Sequence, residues 1–197
     1  MRIDYDALSE IHDYKSQFFL WLDSMDLTNV INVANVIFDR NQEGRSVFVC
    51  GNGGSASLSQ HFAVDLGVGT SKVIDKRGIR VSDLTSNAAI VTATANDKSY
   101  NDVFEEQLKL SAYPMDILIA ISSSGKSENI IRAVQHASKN EITTIGITGF
   151  DGGFLKNIVD YSIHVETRIG EYGRVEDIHS FVLHLITYLV RKKYGIS

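Results

Sequence analysis

Apolar positions change their spacing along this chain, and the changes mark out its elements. Between residues 5 and 23 they recur as Leu8, Ile11, Tyr14, Phe18 and Leu22, the period of a helix with one apolar face. Val30, Val33, Ala34 and Ile37 give a second such stripe over 29–40. Short, uninterrupted apolar runs follow, at Ser46–Cys50, Ile79–Leu84, Asp116–Ile121, Thr143–Thr148 and Tyr161–Val165. Runs of that kind suit strands buried on both faces. Helical patterns separate them at Ser57–Gly67, Asn87–Ala95, Tyr100–Leu110 and Glu128–Ser138, and Val175–Lys193 closes the chain. The alternation predicts an α/β fold: a doubly wound parallel five-stranded sheet between helical layers, preceded by two leading N-terminal helices. In such sheets ligands bind beyond the carboxyl ends of the strands.

Two loops at such ends carry the candidate chemistry. The first reads Gly51-Asn52-Gly53-Gly54-Ser55-Ala56-Ser57, the second Ser122-Ser123-Ser124-Gly125-Lys126-Ser127. Each hands a buried strand over to a helix. Loops of this composition aim backbone N–H groups and hydroxyls at one spot, and a helix N-terminus adds partial positive charge there. The spot favours an anion, above all a phosphate. A tight turn with a helix cap would explain one such loop without a ligand. Ser122, Ser123, Ser124 and Ser127 together exceed what capping needs.

Composition narrows the partners. The 197 residues are 44% hydrophobic, enough for one sizeable core, and no linker or repeat divides them. The net charge of -5 and the lack of a basic cluster argue against nucleic acid. An acidic protein must hold an anion by local dipoles and hydroxyls. Cys50 is the single cysteine, excludes an intrachain disulfide, and ends an apolar run as an inert buried thiol. Residues 1–6 lack the apolar core of a signal peptide, and no apolar stretch nears the ~20 residues that span a bilayer. No membrane association and a cytoplasmic location are expected.

Two motifs inside the loops mislead. Gly51-Asn52-Gly53-Gly54-Ser55-Ala56 fits a dinucleotide-binding fingerprint, with Asp83 near the place of a ribose-binding acid. That reading leaves the second loop unexplained and does not expect two helices before the first strand. Gly125-Lys126-Ser127 ends like a phosphate-binding P-loop, but position 120, where its first glycine belongs, is Ala120.

In order, the first loop, His61-Phe62-Ala63, Ala95-Asn96-Asp97, the second loop and Thr148-Gly149-Phe150-Asp151-Gly152-Gly153 resemble the sugar isomerase (SIS) domain. Among SIS proteins the chain is most similar to the phosphoheptose isomerases, over nearly its whole length. The resemblance implies a flavodoxin-like three-layer sandwich over 1–197, with residues 1–45 used in oligomerisation. It implies isomerisation of sedoheptulose 7-phosphate to a heptopyranose 7-phosphate for bacterial surface polysaccharides. It places Asn52, Gly53, Gly54, Ser55, Asn96, Asp97, Ser122, Ser123, Ser124, Ser127 and Glu176 around the sugar phosphate. It implies a homotetramer with active sites at subunit boundaries. Zinc is the expected cofactor, on His61, Asp65, Glu176 and His184.

Moving a carbonyl between adjacent carbons needs a base for a carbon-bound proton and an acid for an oxygen, each contributing on the order of 10²–10⁴-fold. Asp65 and His184 are the candidates. His61 and Asp65 share a helix face at i and i+4. Glu176 and His184 are eight apart on the closing helix, about 80° around its axis, and can face one cleft. His179, three residues after Glu176, is a candidate supporting residue. His12, His136 and His164 are assigned to surface or packing. Two positions depart from the family. The base is normally Glu, and Asp65 is shorter by one methylene, roughly 1.5 Å. Glu176 stands where Gln is usual and adds a second negative charge, which a cation between the two carboxylates would offset. The mixed N/O set suits zinc or a similar ion.

Two other functions fit the loops. One is isomerisation of a different sugar phosphate, such as a pentose or hexose phosphate. The other is non-catalytic binding, as in SIS proteins associated with the bacterial replication initiator. The latter lack the histidine matched by His184, so His184 and Asp65 together favour an enzyme.

Overall fold

The computed structural model describes residues 6–71 and 78–195. Helices α1 (Ala7–Asp23) and α2 (Thr28–Gln42) lead into strand β1 (Val47–Gly51) and α3 (Gly54–Ser71). Then come β2 (Val81–Asp83), α4 (Ala88–Asp97), α5 (Glu105–Ser111), β3 (Ile117–Ser122) and α6 (Glu128–Lys139). The chain ends with β4 (Thr143–Thr148), β5 (Tyr161–His164) and α7 (Tyr172–Lys193). All strand pairs are parallel, in the order β2-β1-β3-β4-β5. The order reverses at β1 and β3, whose neighbours diverge and open a crevice beyond their carboxyl ends. Both serine- and glycine-rich loops leave those two strands.

The sheet separates two apolar layers, and residue parity decides which side chain enters which. Val47, Val49, Ile117, Ile119, Ile121, Ile145 and Ile147 pack with Val33 and Ile37 of α2, Phe62 and Leu66 of α3, and Ile178 and Ile186 of α7. Phe48, Cys50, Leu118 and Ala120 point the other way, to Leu108 of α5 and Ile130 and Val134 of α6. β1 and β3 are buried along their whole length, which is why their sequences are continuously apolar. Burial pushes the Cys50 thiol well above its ordinary range.

The expected elements all exist, with informative differences. Helix α3 starts at Gly54, inside the first loop, because Gly53 adopts φ +56° and its carbonyl accepts from Ala56 and Ser57. Strand β2 is shorter than Ile79–Leu84, since the N–H of Ile79 is taken by Thr70 Oγ1 of α3 at 3.0 Å. The expected helix Tyr100–Leu110 divides into a 3₁₀ turn, Tyr100–Asp102, and α5, with buried Val103 and Phe104 between them. The first apolar stripe does not face this chain's core: Leu8 and Ile11 are 71% and 61% exposed, while Phe18 and Leu22 pack against the core.

Candidate active site

Residues of both loops and of α7 line one cavity of about 130 Å³: Asn52, Ser55, Ser122–Ser124, Ser127, Tyr172 and Glu176, with Ile121 at its floor. Helices α3 and α6 both begin at its rim, so two N-terminal dipoles favour negative charge in it. The hydroxyls divide in use. Ser122 Oγ accepts from Gly125 N–H at 3.1 Å and Ser124 Oγ from Lys126 N–H at 3.3 Å, which shape the turn. Ser123 Oγ is buried without a hydrogen-bond partner among the described residues. Ser127 occupies the N-cap position of α6, yet its hydroxyl makes no capping bond there. An unpartnered buried hydroxyl costs roughly 1–3 kcal/mol, and a bound oxyanion would satisfy it.

The Thr148–Gly153 segment backs the second loop. Gly125 has φ +61°, and a Cβ there would lie 2.0 Å from the Gly152 carbonyl oxygen, so that position does not tolerate a side chain; Gly152 has φ +79° and also favours glycine. Lys126, despite its resemblance to a P-loop lysine, pairs with Asp151 at 2.7 Å in an exposed bridge. Asp83 is engaged within the fold. Its carboxylate accepts from Ser59 Oγ at 2.6 Å and from Thr85 Oγ1, tying β2 to α3.

Glu176 enters the cavity from α7 and lies over the first turn of α3: a Cβ on Gly54 would be 2.3 Å from both carboxylate oxygens. Partial burial, with the charge of Asp177 adding, raises its carboxyl above the usual range. Tyr172, one turn earlier on the same face, was missed in the sequence reading. The i, i+4 spacing from Glu176 was the available signal. Asn96 and Asp97 stand exposed at the end of α4, bonded to each other at 2.8 Å, and do not line this cavity.

The acid/base candidates form a second group. His61 Nε2 is 3.1 Å from Asp65 Oδ2, and His184 Nε2 is 3.5 Å from the same oxygen. The two Nε2 atoms are 3.1 Å apart. One imidazole must then carry its proton on Nε2 and the other must not, unless a cation sits between them. Metal–ligand distances of about 2.0–2.1 Å imply a tetrahedral edge of about 3.3 Å, so the three donors fit one face of a zinc tetrahedron. Glu176 does not belong to this group. It lies about 12 Å along α7 from His184, and Ser55 lies about 15 Å along α3 from Asp65. Asp65 and His184 instead border a separate cavity of about 210 Å³ with Tyr188 and Arg191. Two clefts of about 460 Å³ lie elsewhere, by Glu141 and Asp160 and by Asn29 and His164, away from both loops.

His179 is buried on α7, both ring nitrogens without a hydrogen-bond partner among the described residues. Burial lowers its pKa to about 4, so the ring is neutral. His164 donates to or accepts from Thr148 Oγ1 at 2.9 Å, and burial lowers its pKa too.

The SIS domain family profile matches residues 20–149. A phosphoheptose isomerase of Clostridium acetobutylicum is 35% identical over 172 residues, covering 87% of this chain and 85% of that protein. One from Mycobacterium bovis is 38% identical over 163 residues, covering 80% and 81%. The structure of a phosphoheptose isomerase from Francisella tularensis superimposes with a TM-score of 0.82 at 27% identity, over 95% of this chain and all of that one.

Proposed function

This chain belongs to the SIS domain family and, within it, to the phosphoheptose isomerases, and on that premise we propose that it converts sedoheptulose 7-phosphate to D-glycero-D-manno-heptopyranose 7-phosphate. The observation that carries the reading is the two-loop cavity, where unbonded Ser123 and Ser127 hydroxyls meet two helix N-termini. The phosphate sits on Ser122–Ser127 and the sugar on Asn52–Ser55. Glu176 faces the sugar.

The Asp65 carboxylate takes a proton from C1 while His184 protonates the C2 oxygen, giving a 1,2-enediol. Loss of the O1 proton and return of a proton to C2 give the aldose. His61, Asp65 and His184 would hold a zinc ion, which would supply Lewis-acid polarisation of the substrate oxygens when bound. His184 Nε2 cannot ligate a cation and carry a proton at once, so His184 acts as the acid in the metal-free form, and turnover should survive removal of the metal by a chelator.

The two groups act on one sugar across a subunit boundary in a homotetramer. Within a chain they border different cavities, set apart by rises of about 12 Å along α7 (Glu176 to His184) and about 15 Å along α3 (Ser55 to Asp65), against roughly 9 Å from C2 to phosphorus in an extended heptose, counted from bond lengths of about 1.5 Å. The His61 and His184 side chains are 62% and 53% exposed, beside exposed Val64, Val68 and Tyr188. Such a surface asks for a cover. Residues 1–45 supply part of the contact through Leu8, Ile11 and Leu20. The enzyme works in the cytoplasm. Among the described residues no helix is long and apolar enough to cross a membrane.

Conversion in heavy water tests the enediol route. The aldose should carry solvent deuterium at C2 and recovered ketose should exchange at C1; C1 exchange that persists unchanged in Asp65→Asn would refute proton transfer by Asp65. A second reading, isomerisation of another sugar phosphate, is favoured by the Glu176 carboxylate in the sugar half of the cavity. Faster turnover of a pentose or hexose phosphate than of sedoheptulose 7-phosphate would establish it.

A further inference from the structure

Asn52 is held on two sides by residues outside both loops. Its Nδ2 donates to Asn129 Oδ1 at 2.9 Å, and Asn129 Nδ2 donates back to Asn52 Oδ1 at 2.9 Å. Tyr100 Oη donates to the same Asn52 Oδ1 at 2.9 Å. A reciprocal amide pair alone can be flipped as a unit without losing a bond. Here the backbone N–H of Ile130 donates to Asn129 Oδ1 at 3.0 Å, which fixes the orientation of Asn129 and so of Asn52. Both lone pairs of Asn52 Oδ1 are engaged and one of its two N–H donors is used, leaving a single N–H for the cavity it lines.

Asn129 is buried in the first turn of α6. The pair therefore bolts the first loop, after β1, to the helix that follows the second loop, after β3. Tyr100 reaches it from the 3₁₀ turn and is 53% exposed.

We propose that Asn129 and Tyr100 are positioning residues that lock the Asn52 amide as a hydrogen-bond donor toward the sugar phosphate and fix the spacing of the two loops. This corner of the cavity then selects a ligand oxygen that accepts, and it rejects a group that can only donate. The inference rests on the sugar-phosphate reading of the cavity.

A double-mutant cycle tests it. Tyr100→Phe removes one hydroxyl from an exposed side chain and should leave thermal stability unchanged. It should raise KM for sedoheptulose 7-phosphate about 3- to 10-fold, the worth of one neutral hydrogen bond, with kcat within about 2-fold. In an Asn52→Ala background the same substitution should have no further effect, because its lever is gone. Asn129→Ser should behave alike, and if that variant does not fold the Tyr100 arm decides alone. Wild-type KM in Tyr100→Phe, or equal losses in both backgrounds, would overturn the proposal. Titration calorimetry with the same sugar phosphate keeps the claims apart. Wild-type binding without turnover would sink the isomerase reading while the cycle is still read in Kd; no wild-type binding would sink both.

Discussion

Replacing Gly54 by Ala sets local stability against site geometry. Gly54 opens α3, where Ala is the better helix former by at most about 0.5–1 kcal/mol. The added Cβ would lie 2.3 Å from both oxygens of Glu176, against an ordinary contact of 3.4–4 Å. The carboxylate must therefore retreat by about 1 Å, the same scale as a misplacement that costs roughly 10²-fold in rate. It is the end of a flexible side chain, so the retreat is cheap for the fold. Gly54→Ala should melt within a few degrees of wild type, yet lose roughly 10²-fold in kcat/KM for sedoheptulose 7-phosphate. Differential scanning calorimetry and steady-state kinetics on one preparation read both. Wild-type kcat/KM would show that the seat of Glu176 does not matter. A large drop in melting temperature would show that the clash is borne by backbone.

Three further outcomes follow from the same geometry. Protein purified without chelator should carry about one zinc per chain by elemental analysis and His61→Ala should lose it; sub-stoichiometric metal in wild type at neutral pH would contradict the ligand set. His179 titrates at about 4 folded and near 6.5 unfolded, so protons favour the unfolded chain as pH falls below 6.5. Wild type should lose about 2 kcal/mol from this group between pH 7 and pH 5, His179→Leu should not, and parallel stability–pH curves would refute the assignment. Light scattering should give about four times the 21.8 kDa chain mass, falling when Leu8, Ile11 and Leu20 are replaced by Ser; a wild-type monomer would remove the shared-site reading.

Much of this was legible in the sequence because the governing chemistry is local. Strand β4 spans the expected Thr143–Thr148, and α6 and α7 end within one residue of their periodic patterns. The serine and glycine loops announced the cavity through their composition alone. The failures share one cause, partners far along the chain or outside it. The stripe on α1 has the period of a buried face, but Leu8 and Ile11 find no cover among the described residues. The Asn52–Asn129 pair joins residues 77 apart, and no spacing rule links them. Helical arithmetic placed Glu176 and His184 on related faces of α7, but could not show that one turns to the serine cavity and the other to His61 and Asp65. The shorter acid at position 65 still reaches both histidines, because all three meet within 3.5 Å on a shared surface of α3 and α7.

If Asp65 and His184 move the protons of a sugar-phosphate isomerisation, turnover needs both. The direct test is product formation from sedoheptulose 7-phosphate by wild type, Asp65→Asn and His184→Ala, followed by NMR. All three should fold, since His184 is exposed and Asp65 half-buried at the surface. Product should accumulate with wild type and fall at least ~10²-fold with either variant. Equal rates in all three would contradict the acid/base assignment, and no conversion by wild type would contradict the substrate.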